Sequence, residues 1–175
     1  MKKIIFIFIV LLQFNVLNAQ KPGSNYPDEV KQPEQSNAPK VQEFNPQNVA
    51  GILKYDDVKV IKKVKIFKKE KISEIKPLIT NYNNEIDDIL LTNKHILSIV
   101  KAYVEKKVVF AINNKDYSTI KDIHREGQEK LLFIKSQVEE KEASLNSKMI
   151  IILSEKQFKK WSTYQKNMKN RLKRI

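Results

Sequence analysis

The chain has no cysteine. Disulfides are excluded, as is lipid attachment through a thiol behind a leader, so stability must come from packing. Glycine occurs only three times in 175 residues. Neither a glycine-rich phosphate loop nor a nucleophile elbow is present. Acidic residues are the scarcer charge, 20 against 33 Lys and Arg, for a formal net charge of +13. That balance favours acidic partners: anionic lipid, polyanionic glycans, nucleic acid or acidic proteins. The lysines are spread along the sequence rather than massed in one block, as they also are in helical proteins that use a basic surface only for solubility.

Long apolar runs are few. The first twenty residues, "MKKIIFIFIVLLQFNVLNAQ", place Lys2 and Lys3 before an apolar stretch from Ile4 to Leu12, with small Ala19 ahead of Gln20. This is the order of a secretory signal peptide, and the run is short of the roughly 20 apolar residues of a spanning helix. Cleavage is expected after Ala19, and the location is periplasmic or secreted. Five of the six prolines lie between Pro22 and Pro46, in a stretch rich in Gln, Asn and Ser. Such a stretch cannot bury enough apolar surface to offset its ordering entropy. The expected organisation is a signal peptide over 1–19, a flexible linker over 20–50 and a helical domain over 51–175.

Helical spacing of apolar residues begins after Gly51. Asp56 or Asp57 caps a short helix with Val58, Ile61 and Val64 on one face, ending near Ile66. A long helix follows, capped by Ser73 with Pro77 in or near its opening turn. Its seam is Ile75, Ile79 (or Leu78), Tyr82, Ile86, Ile89, Ile96, Val100 and Val104, with Asn93 as a polar break. It should reach about Ala111, roughly 60 Å in all. Asn113 to Asp116 form a turn. A third helix carries Tyr117, Ile120, His124, Gly127, Leu131, Ile134 and Val138, and ends at "SLNSK", 144–148. The short connection makes the two long helices antiparallel, with facing residue numbers summing to about 229. Val104 then lies level with Arg125, Val100 with Glu129, and Glu105 with His124, a contact that would favour protonated His124. The run "MIIIL", 149–153, should be buried, extended or helical. The fold class is all-α: an elongated bundle of about four helices built on a long antiparallel helical hairpin.

The last helix starts at "LSEKQFKKW". Ser154 as N-cap and Gln157 three residues on make a capping box, and Leu153 with Phe158 makes a hydrophobic staple. Phe158, Trp161, Gln165, Met168 and Leu172 form its stripe. This device explains the Ser–Gln spacing without any catalytic role. The same stretch resembles the LTxxQ motif of the Spy/CpxP-like family of small exported helical envelope-stress proteins, with Ser154 in place of Thr and Gln157 matching. The earlier copy of the motif known in that family would fall at "IFKKEKISEI", 66–75, where Phe67 and Glu70 replace Thr and Gln. The resemblance implies a cradle-shaped homodimer that binds unfolded or acidic proteins without ATP, or that reports envelope stress.

Catalytic chemistry finds little support. His95 and His124 lie about ten residues apart along the expected hairpin, or about 15 Å, too far to share a metal. The adjacent carboxylates Asp56/Asp57, Asp87/Asp88 and Glu139/Glu140 diverge by about 100° on a helix. No enzyme activity, metal or cofactor is expected. Partner binding falls to the basic face of the last helix: Lys159, Lys160, Lys166, Lys169, Arg171 and Arg174. Its mixture of Lys and Arg with Phe, Trp and Tyr would also suit an anionic membrane surface or nucleic acid, the latter disfavoured because Phe158 and Trp161 fall on the stripe expected to pack inward.

Overall fold

The computed structural model describes residues 41–172. The signal peptide, most of the linker and Arg174 lie outside the described residues. Seven α-helices and one 3-10 turn make up the described region, which has no strand: α1 (Pro46–Val49), α2 (Asp57–Val64), α3 (Lys69–Thr92), α4 (Lys94–Asn113), a 3-10 turn (Tyr117–Thr119), α5 (Ile120–Glu129), α6 (Leu132–Ile152) and α7 (Glu155–Leu172). The principal pairings are α3 with α6, α4 with α5, and α2 with α7. The fold is all-α. The expected count of about four helices is exceeded because both long segments are interrupted and because packing begins before Gly51.

That earlier start corrects the linker boundary. Asn45 caps α1 through its side chain, which accepts from the amides of Gln47 and Asn48. Phe44, Pro46 and Ala50 are buried. Phe44 settles over Gly127 and packs edge-on to His124, ring centroids 5.5 Å apart. Proline-rich composition misled because one aromatic anchor fixes what the rest of the segment cannot.

In α2, Asp56 is the cap, its carboxylate accepting from the Lys59 amide at 2.9 Å. That bond holds the Asp56 carboxyl below its ordinary value. The buried face is Val60 and Val64 with Ile61 at its edge, while Val58 is exposed. The helix ends on Lys65 in the left-handed conformation, φ 61°.

Ser73 is not the cap of α3. The helix starts a turn earlier at Lys69, and the Ser73 hydroxyl donates back to the Glu70 carbonyl. Pro77 is therefore a helix-interior residue, tolerated on an exposed face. The seam runs Ile75, Ile79, Tyr82, Ile86, Ile89, then Asn93, Leu97, Val100 and Val104, all buried. Leu97 takes the position expected of Ile96, which is exposed, because the helical period continues through Asn93. The Asn93 side chain donates to the Ile89 carbonyl at 2.8 Å and to Gln137 at 3.2 Å.

The return segment breaks at Lys130 and Leu131 rather than at 144–148. α6 runs straight through "SLNSK" because Leu145 and Met149 continue the buried seam, which outweighs the weak helix preference of Ser and Asn. "MIIIL" is helical. Met149 and Leu153 are buried, but Ile150 and Ile151 are exposed, against expectation. The two long segments run antiparallel: Tyr103 meets Glu126, Asn93 meets Gln137, and Glu85 pairs with Lys141. Glu105 pairs instead with Lys101 on its own helix, 3.6 Å. The expected contact favouring protonated His124 is replaced by Phe44, and burial lowers the His124 pKa.

Candidate functional site: a cationic groove between α2 and α7

At the start of α7 the Ser154 amide donates to Gln157 Oε1 at 3.2 Å, and the Gln157 amide donates to Ser154 Oγ at 3.4 Å. Leu153 is buried and Phe158 half-buried beside it. Gln157 has a second task. Its Nε2 donates to the Lys65 carbonyl at 3.1 Å, tying the start of α7 to the left-handed end of α2. The two helices then run antiparallel.

A buried polar cluster fixes α7 on its inner side. Glu142 of α6 is only 7% exposed. Its carboxylate accepts from the Tyr55 hydroxyl at 2.9 Å and from Gln165 Nε2 at 3.1 Å, and it pairs with Lys169. Burial, and then the Glu142 charge, push the Tyr55 hydroxyl far above its ordinary range. Tyr55 is stacked on Tyr82 and meets Trp161 edge-on, centroids 5.3 and 4.9 Å apart. Trp161, fully buried, donates its indole N–H to Asn146 at 2.7 Å. Glu142 holds this arrangement, since removing its donors leaves a buried carboxylate short of partners, whereas Lys169 is half exposed.

On the outer side α2 and α7 enclose a groove of about 720 Å³. Lys54, Lys59 and Lys63 line one wall; Lys156, Lys159, Lys160 and Arg171 line the other. Tyr164 and Met168 contribute apolar surface, and the single acid is Asp56. Lys54 is neutralised by Asp87 and Lys59 by Asp56. Lys63, Lys156, Lys159, Lys160 and Arg171 have no carboxylate within 4.0 Å among the described residues. Burial and the neighbouring charges of Lys65 and Lys156 lower the Lys160 pKa.

Of the basic residues singled out on α7, the groove brings together Lys159, Lys160 and Arg171. Lys166 is exposed and does not line it. Lys169 turns inward to Glu142. The contribution of α2 and of Lys156 was not anticipated, because residues about a hundred positions apart meet only through the α2–α7 pairing. Glu142 was missed as well: a lone acid on an apolar seam carries no signal until Tyr55 and Gln165 are placed beside it. His95 is exposed and His124 half-buried, and no group of three or more His, Asp or Glu side chains among the described residues could hold a metal. No described helix is long and apolar enough to cross a membrane. No protein-family model, curated protein or solved structure matches the chain.

Proposed function

We propose that this chain is an exported, non-enzymatic helical binding protein that holds unfolded or acidic polypeptides without ATP, in the manner implied by its resemblance to the Spy/CpxP-like proteins. The elongated hairpin bundle and removal of the leader near Ala19 are part of this reading. The observation that carries it is the groove between α2 and α7, where unneutralised cations from two helices flank apolar surface. Large apolar side chains elsewhere on the surface, among them Phe67, Leu91, Phe110 and Ile151, offer further contact to an unfolded chain. Long-range attraction would speed capture, with a Debye length of about 8 Å at physiological ionic strength. Apolar contact would then retain the client, and it is far less sensitive to salt.

The test is suppression of aggregation of an acidic unfolded client across a salt series. Salt should slow capture without abolishing protection. Absence of protection at every salt concentration would leave a structural or adaptor role in the envelope as the better account. Binding that instead falls with a log–log slope near −0.9 per phosphate would indicate duplex nucleic acid.

A further inference from the structure

We infer that the groove between α2 and α7 is built to receive an amphipathic helix with acidic flanks, supplied by a partner polypeptide. The inference rests on the groove of the proposed function but not on the client being unfolded.

Backbone chemistry gives the first argument. The walls are two helices whose own amides and carbonyls are paired internally. An extended segment laid between them would find no ladder of partners for its backbone, whereas a helix brings its hydrogen bonds with it. Two neighbouring helices also leave a channel into which a third packs, at interaxial distances of about 8–10 Å. The second argument is the floor. Tyr164 and Met168 are one turn apart on α7, and Met adapts readily to an apolar stripe. A bare polyanion gains nothing from that surface. A nucleic-acid strand would need rings to stack on, but Trp161 is fully buried and bonded to Asn146, which leaves Tyr164 as the groove's aromatic.

The rims give the third argument. On α2 Lys63 stands one turn from the Lys59–Asp56 pair, and on α7 Lys156 and Lys160 stand one turn apart with no carboxylate partner among the described residues. An occupant matching both rims carries acids on each side of an apolar stripe, repeated at three- and four-residue intervals. From Lys156 to Arg171 the groove follows α7 for about 22 Å, the length of a helix of roughly fifteen residues, of which the eight-residue α2 walls two turns, about 12 Å.

The experiment titrates the full chain into labelled synthetic peptides of about that length and follows anisotropy. The first peptide has a Leu/Met stripe with Glu on both flanks. The second has the same composition interrupted by proline. The third carries Lys in place of Glu. The helical acidic peptide should bind at least about tenfold more tightly than the other two. Lys63→Glu with Lys160→Glu leaves the groove still cationic but should narrow the preference for the first peptide over the third severalfold, with far-UV circular dichroism confirming an intact fold. Met168→Gln, which removes apolar surface without adding charge, should weaken the acidic helix and leave oligothymidylate binding unchanged. Equal binding of the proline peptide would overturn the inference and leave a groove that reads charge alone. Tighter binding of oligothymidylate, or indifference to the charge reversal, would overturn it too. If aggregation is suppressed while the acidic helix does not bind, the helix inference fails and the client reading stands. If the helix binds but nothing is protected, the client reading fails and the inference stands.

Discussion

Gly127→Ala should destabilise the protein, although it places the better helix former in a helix. Alanine gains about 1 kcal/mol over glycine in a helix interior. Against this, an added Cβ would lie 2.5 Å from Val104 Cγ2 and 2.8 Å from Phe44 Cζ. Val104 is fully buried and, being β-branched in a helix, has one preferred rotamer. Phe44 is 5% exposed and can escape only by leaving its pocket. Overpacking of this kind costs about 1–3 kcal/mol, and contacts this short argue for the upper end. The net expectation is a loss of about 2 kcal/mol, an appreciable share of a small domain's stability. Urea unfolding followed by Trp161 fluorescence reads this directly, since Trp161 is the single tryptophan and sits in the core. Phe44→Ala alone should cost about 3–5 kcal/mol. In that background Gly127→Ala should lose part of its penalty, because the contact with Phe44 is gone while the shorter one with Val104 remains. A variant as stable as the parent, or an equal penalty in both backgrounds, would refute the account of Gly127 as the seat of Phe44.

Ser154→Ala should cost about 1 kcal/mol in the same urea assay. Gln157→Ala should cost at least as much, because Gln157 both closes the capping box and holds Lys65, and the double variant should be less than additive. Tyr55→Phe should cost about 1–3 kcal/mol by removing a donor from buried Glu142, a penalty that should disappear in a Glu142→Leu background. Lys115 ends α4 at φ 58°, so Lys115→Gly should raise stability by up to about 1 kcal/mol in thermal melts. Burial lowers the His124 pKa, so the unfolded chain binds this proton more readily. Stability from this group is complete above the ordinary histidine pKa, declines as pH falls through it, and levels off below the folded value. His124→Gln should flatten that part of the stability–pH profile.

The interior seams were legible in the sequence because burial along a helix repeats every three or four residues whatever the tertiary details. Ile75, Ile79, Tyr82, Ile86, Ile89, Val100 and Val104 on one arm, and Leu131, Ile134 and Val138 on the other, are all buried. What failed was choice between neighbours of similar character. Ile96 and Leu97 are both apolar, and only the phase carried through Asn93 separates them. Helix ends were less legible where no side chain caps them: α3 begins on Lys68 with no side-chain cap bond, so Ser73 was the more attractive start. The groove was half visible. Lys159, Lys160 and Arg171 stand on one helix, but Lys59 and Lys63 join them only through a pairing of elements far apart in the chain. The anchoring of Phe44 was invisible, because its receptor is the absence of a side chain at Gly127.

The polar residues inside the seam have a further consequence. Two helical arms lined with Ile, Val and Leu at regular intervals are nearly interchangeable with themselves shifted by a turn, and aliphatic packing alone would tolerate several alignments. Asn93 breaks that degeneracy. Its bond to the Ile89 carbonyl belongs to its own arm and survives any slide, whereas its bond to Gln137 across the arms forms in this alignment and is lost on moving by one turn. Glu142 acts likewise through Tyr55, which bonds Glu142 on one arm by its hydroxyl and Asn83 on the other by its backbone. The repetitive seam thus supplies adhesion, and two polar side chains select a single alignment from among the near-equivalent ones.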